Sequence, residues 1–368
     1  CALPILTIAM RDNGRKEMKS SVGRGQQIKK FIVDVLNGTS LGIVITLIPS
    51  ALVSQLLLLF PNSVIAANIN FMTTLIQSTL PLVAGFAVGH LLKLSTIDAG
   101  AIALATFVSS GVVTKTATGM VISGTGVILN IILITLVAAI LVKLTTTVFG
   151  HLKMLLQPLI VVLLAGGLGL VTLAPLRQVQ VLMGTAVAAA THLTPLLMGA
   201  LLGMAFAFLV VSPLSSVGIA MAINLSGVGS GAANAGIVVA SFTLAAMGAS
   251  VNPIGGTLAH FIGSPKIQMA NMLLKPKLFI PTTIGAGIMG ILATVFDVKG
   301  TPFSAGFGFS GLIGPMTAYG LSNQSAKAIV DIVLVFVVLP CVLAMTLKWL
   351  FIKKWHLIKP EDLKLTLQ

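Results

Sequence analysis

From residue 178 to residue 265 the chain runs 88 positions without one Asp, Glu, Lys or Arg. Soluble domains carry roughly one charged residue in four, so this block is incompatible with an ordinary water-facing fold. At about 20 residues per membrane crossing, it has room for three or four crossings. A second uncharged stretch, between Asp34 and Lys93, has room for two more. Over the whole chain 56% of residues are hydrophobic, 8% are charged and the mean hydropathy is +1.08. The expected fold class is therefore an all-α polytopic membrane protein with about ten transmembrane helices, and a soluble multidomain reading is set aside.

The formal charge of +14 does not mark a nucleic-acid partner, because the basic residues form no patch. Seven of them (Arg11, Arg15, Lys16, Lys19, Arg24, Lys29, Lys30) precede the first apolar run. Five (Lys348, Lys353, Lys354, Lys359, Lys364) close the chain. Basic residues concentrate on the cytoplasmic side of membrane proteins, which places both termini in the cytoplasm and requires an even number of full crossings. Cys1 and Cys341 are the only cysteines, too few for a disulfide framework or a metal cluster, and no motif calls for a cofactor.

The charges divide the sequence into expected elements. IKKFIVDVLNG, from residue 28, reads as an amphipathic interfacial helix. Crossings are expected at 37–60 and 65–90, joined at the FPNS break of residues 60–63, and at 119–142, 156–176, 193–211, 226–250, 278–298 and 328–351. A short apolar piece begins near Asp98, with Ser95 or Thr96 placed to cap it. A surface helix is expected around Lys143, His151 and Lys153. Glycine pairs such as Gly199 and Gly203 read as close-packing points between helices. The glycine-rich run at 227–236 lacks the strand, lysine and distal acid of a nucleotide loop.

Two segments break the pattern. Residues 250–268 hold Pro253, Gly255, Gly256, Gly263 and Pro265; residues 301–320 hold Pro302, Gly306, Gly308, Gly311, Gly314 and Pro315. In hydrocarbon an unpaired backbone group costs several kcal/mol, so irregular chain survives there only inside protein or beside a wet cavity. Both segments are too apolar for an aqueous loop and too interrupted for a straight helix, so re-entrant hairpins are expected. Transporters build solute sites from such breaks. The candidate site is accordingly Asn224, Asn234, Asn252, Thr257, His260, Lys266, Ser310 and Tyr319, with Gln268, Asn271, Thr301, Ser304, Thr317 and Asn323 as further polar groups. This set of neutral donors and acceptors suits a small polar solute and offers no carboxylate cage for a metal ion.

Rival readings stand beside the functional ones. His260 is either a solute or proton group or a histidine hydrogen-bonded between helices. Lys266 marks a cytoplasmic loop with Lys275 and Lys277, or it meets an anionic ligand. Asp331 follows Lys327 by four residues, the spacing of a helical ion pair, which reads as an interfacial anchor ahead of proton coupling. Asp98 near a helix start complements the macrodipole, and Asp297 with Lys299 marks the end of a span.

FIVDVLNGTSLGIVITLIP at 31–49 and GSPKIQMANMLLKPKLFIPTTIGAGIMGILATVF at 263–296 resemble the membrane EIIC components of the bacterial sugar phosphotransferase system, in particular the single-component branch labelled PfoR-like. The resemblance implies a homodimer in the bacterial inner membrane, working by an elevator motion. It divides the chain into a basic arm (1–30), a scaffold and dimerisation half (31–192), a transport half with both hairpins (193–352) and a cytoplasmic tail (353–368). Glucose-type EIIC proteins place a glutamate in the hairpin region, whereas the glutamates here are Glu17 and Glu361, both in the tails. No domain with a phosphorylatable cysteine accompanies the chain's membrane part. The expected function is transport of a small polar solute, a sugar or a small organic anion, across the lipid bilayer. The alternatives are a membrane-embedded solute sensor and an EIIC component served by a separate EIIB-type chain.

Overall fold

With no water inside a bilayer, the backbone satisfies its own hydrogen bonds, and a single chain does this most simply as helix. The computed structural model describes residues 24–57, 60, 63–117, 119–149 and 152–365, and helix dominates them. The basic arm lies mostly outside the described residues, as do Pro61, Asn62 and His151.

Six helical stretches are long and apolar enough to cross a membrane, or seven if the bent pair Val64–Ser78 and Leu80–Leu91 counts as one span. The shorter apolar helices are Thr96–Ser109, Pro195–Val211 and Ile254–Gly263. The expected ten or so is reached only when these are counted. The chain is all-α and polytopic; among the described residues strand pairing is confined to an isolated bridge between Gly227 and Gly300 and an antiparallel hairpin of Val113–Thr116 with Gly119–Ile122. This corrects the expectation that helix begins at residue 119. Val113, Thr114, Thr116, Val121 and Ile122 are β-branched and favour extended chain, and Gly124 and Gly126 adopt φ of +70° and +78°, outside the helical region. The helix starts instead at Ile128.

Three other expectations shift. IKKFIVDVLNG is not a separate interfacial helix but the first part of the 34-residue helix Arg24–Leu57. The expected crossing at 65–90 bends by 51° at Thr79, just before Pro81. The expected surface helix near Lys143 is shared between the end of Ile128–Phe149 and the start of Lys153–Val161. Gln157, buried there, donates to the Val142 carbonyl at 3.1 Å and accepts from Thr145 at 3.1 Å. From Lys153 the helix continues through a wide π turn to Ala190.

The later part of the chain packs around helix Gly227–Gly248, almost all of whose residues are buried. Close approach requires its glycines: a methyl group on Gly236 would strike the Gly203 carbonyl, and one on Gly199 would lie 2.6 Å from the Gly290 oxygen. Helices Pro195–Val211, Gly227–Gly248 and Phe279–Val295 thus meet backbone to backbone, gaining dispersion contact where hydrophobic drive is weak. The earlier part packs similarly, with Gly38 against Val88 and Gly42 against Ala84. The helix Arg24–Leu57 also touches both interrupted segments. Met269, which follows the first of them, is fully buried in a cluster with Ile43, Leu80, Ala84 and Ile131 of the earlier part.

Asp98 does more than complement a helix dipole. Ser95 caps its helix, and the buried Asp98 carboxylate pairs with Lys153 at 2.7 Å. Asp297 and Lys299 pair at 2.8 Å just past helix Phe279–Val295. Lys327 and Asp331 make no ion pair, which corrects the pairing their spacing suggests.

Candidate functional site

The segment 250–268 is interrupted throughout: a short helix Ile254–Leu258, a π turn Ala259–Gly263, extended Ser264, then a 3₁₀ turn Pro265–Gln268. The second, 301–320, passes through 3₁₀ turns at Ser304–Gly306 and Ser310–Leu312. Within it Gly308, Gly311 and Leu312 take positive φ of 61°, 57° and 60°. The two segments meet at Phe261 and Phe309, whose rings pack against Phe242 with centroids 4.8 and 5.7 Å from it.

Side chains of the central helix fix the second segment. Asn234, fully buried, accepts from the Gly308 N–H at 3.0 Å and donates to Ser304 at 3.4 Å. Ser230 donates to the Thr301 carbonyl at 2.9 Å. From the neighbouring turn, Ser216 donates to the Gly306 carbonyl at 2.9 Å. Gly306 sits so close to Val217 that an added methyl would lie 2.6 Å from the Val217 Cα.

The first segment is tied to the end of the chain. Asn252 donates to the Leu363 carbonyl at 2.9 Å and accepts from the Leu365 N–H at 2.8 Å. Gln268 donates to the Leu363 carbonyl at 2.8 Å, and Asn271 to the Lys364 carbonyl at 3.0 Å. His260 Nδ1 faces the Gly256 and Thr257 carbonyls, so it carries the proton, and Nε2 accepts from Gln268 at 3.1 Å. Both ring nitrogens are thereby engaged within the protein. Lys275, at 3.0 Å, and Lys277 pair with Asp362. Desolvation alone would raise the Asp362 carboxyl, but the bonds from Lys277 and Lys275 outweigh it and hold the group down to about 2.

Lys266 is not on a loop in water but is buried. Ser264 caps the turn that aims it. Its ammonium donates to the Ser212 and Leu214 carbonyls at 2.6 and 2.8 Å. Ser212 is the C-cap of helix Pro195–Val211 and Leu214 lies just past it, so the ammonium sits near a helix end whose macrodipole favours a cation.

Between the two parts of the chain lies a cavity of about 560 Å³, within the range of small-molecule sites. One wall comes from the earlier part: Gln77, the run Ser123–Ile128 after the β-hairpin, Arg177 and Gln180. The facing wall comes from Ser215–Gly218 and from both interrupted segments, through Ser264, Lys266, Phe307 and Ser310. Phe303 and Phe307, 5.1 Å apart, add aromatic surface. Arg177 packs over Gly111, whose missing side chain leaves room for the guanidinium.

Of the eight residues singled out from the sequence, Lys266 and Ser310 line this cavity. Asn234 stands behind its wall. Asn252 bonds to Leu363 and Leu365, and His260 is held within its own segment, where Thr257 contributes a carbonyl to it. Asn224 is an exposed turn residue with φ of +51°, and the Tyr319 hydroxyl approaches the Gln324 carbonyl at 3.5 Å. Arg177, Gln77, Gln180, Ser216 and Thr125 were missed. The readable signal was Arg177, which with Lys153 at the very start is one of two charges in a 38-residue apolar helical stretch, the kind of charge that marks function in membranes.

Long apolar helices enclosing a solute-sized chamber define a polytopic membrane protein of the transporter class. A family model for the phosphotransferase system EIIC proteins matches residues 33–365, and the chain belongs to that family. No match is found among curated proteins or solved structures.

Proposed function

We propose that this chain is an EIIC-type permease that carries a small polar solute by alternating access, residues 193–352 moving against residues 31–192 around the cavity. The observation behind this reading is that both parts of the chain, and both interrupted segments, contribute to one chamber. The segments act as re-entrant hairpins, whose breaks bring polar groups to a solute at membrane depth. Assembly as a homodimer through residues 31–192, in the bacterial inner membrane with both termini cytoplasmic, completes the proposal. The test is uptake of labelled sugars and sugar acids into proteoliposomes. Gln180→Trp, which fills the chamber, is expected to cut uptake at least tenfold while leaving the purified protein monodisperse. Uptake unchanged by Gln180→Trp would overturn the reading.

A second arrangement adds a separate EIIB-type chain. Cys341, exposed on the last long helix, does not line the cavity, and in this arrangement the partner supplies the phosphoryl donor. Binding without flux in the same vesicles, with no phosphorylated product on adding cytosol, would instead support a solute sensor.

A further inference from the structure

The cavity contains an imbalance of charge. Arg177 enters it from one wall and Lys266 from the other, and none of the lining residues is an Asp or Glu. The two cations differ in how they are held. Lys266 spends two of its three donors on the Ser212 and Leu214 carbonyls, which leaves one N–H. Arg177 makes no hydrogen bond or ion pair with any described residue, which leaves its whole fork of donors unused. Lys153, Lys275, Lys277 and Lys299, by contrast, each meet a carboxylate. A guanidinium with its donors unused, on a chamber whose lining also holds Lys266 and no carboxylate, attracts negative charge and is shaped for bidentate carboxylate or phosphate contact.

The remaining lining describes the rest of the ligand. Gln77, Gln180, Thr125, Ser216 and Ser310 are neutral donors and acceptors suited to hydroxyl groups. Phe303 and Phe307 offer apolar faces to the C–H side of a ring. We infer that the cavity selects a small hydroxylated anion, with its carboxylate or phosphate between Arg177 and Lys266 and its hydroxyls on the serine and glutamine side chains. This deepens the permease proposal and rests on its reading of the cavity as the solute site.

Three molecules with one ring separate the possibilities: glucose, glucuronate and glucose 6-phosphate, which differ only at the sixth carbon. Binding of each to the purified full chain, at constant ionic strength, is expected to favour at least one anion over glucose by tenfold or more, and the better anion identifies the head group. Arg177→Gln, a change at an exposed position, should remove most of that preference, and Arg177→Lys should restore part of it. Lys266→Met is the weaker probe, since it also strips two carbonyls of their donor. Glucose binding as tightly as both anions, a preference that survives in Arg177→Gln, or no anion binding at all would overturn the inference. Flux separates it from the permease proposal: Arg177-dependent anion binding without uptake removes transport alone, whereas uptake of glucose with no anion preference removes anion selection alone.

Discussion

The two interrupted segments are similar in composition and opposite in how they are held. Residues 301–312 are secured from within, by Asn234 and Ser230 of the buried central helix and by Ser216. Residues 252–271 also reach the core, through Lys266 and Phe261, but carry a second set of bonds to residues 362–365, through Asn252, Gln268, Asn271 and the Asp362 ion pairs. A segment clamped by a core helix moves only with that core. One with a second set of bonds to a separate stretch of chain can lose those without the core opening, so the two breaks are expected to loosen independently despite their similar glycine content.

The sharpest way to break the comparison is Asn234→Leu, which leaves the buried Gly308 N–H without an acceptor. It is expected to cost about 3 kcal/mol, read as a lower unfolding midpoint in detergent, with faster amide exchange at 301–312 and none at 252–268. Gly306→Ala comes next, because Val217 backbone cannot give way to the new methyl; a loss of about 2 kcal/mol is expected by the same measurement. Asn252→Ala should act on the other segment only. Losing its bonds to Leu363 and Leu365 costs about 1.5 kcal/mol, with accelerated exchange confined to 252–271 and 357–365.

The smallest effect is electrostatic. Asp362 is held down to about 2, below its ordinary 3.8, so its contribution is complete above that ordinary value and is lost as pH falls through about 2. Tail protection should therefore decline between about pH 4 and pH 2, by at most about 1 kcal/mol because the partner lysines are solvated. Asp362→Asn should abolish this dependence, and salt should blunt it. Exchange at 301–312 that tracks the tail through this range would sink the distinction between the two segments.

The sequence made the interrupted segments visible because proline and glycine in an apolar run have few other uses. It made the membrane class visible through charge-free length. The β-hairpin at 113–122 escaped because valine, isoleucine and threonine are as apolar in a strand as in a helix, and hydropathy does not see the difference. The cavity escaped for another reason: its walls come from positions as far apart as Gln77 and Ser310, and such a meeting is a property of packing. Arg177 was read only as the border of an uncharged run, and Lys266 only as a loop residue or a ligand contact. The structure sets both on one chamber while giving Lys266 a structural duty that spacing could not suggest, since Ser212 and Leu214 precede it by more than fifty residues. Asn252 and His260 looked like solute groups because an apolar context makes any polar side chain conspicuous; the residues that engage Asn252 are far away in the chain, and His260 is satisfied by its own segment.

Met269 has a consequence of its own. It sits at the exit of the first interrupted segment yet is lodged among Ile43, Leu80 and Ile131 on the opposite side of the chamber. An unbranched thioether can slide out of such a socket by rotating its own bonds, without disturbing the backbone on either side. In the proposed transport motion this peg would have to be unseated first, which would give the resting position a detent: a shallow notch that holds until something outweighs the fit of one methionine.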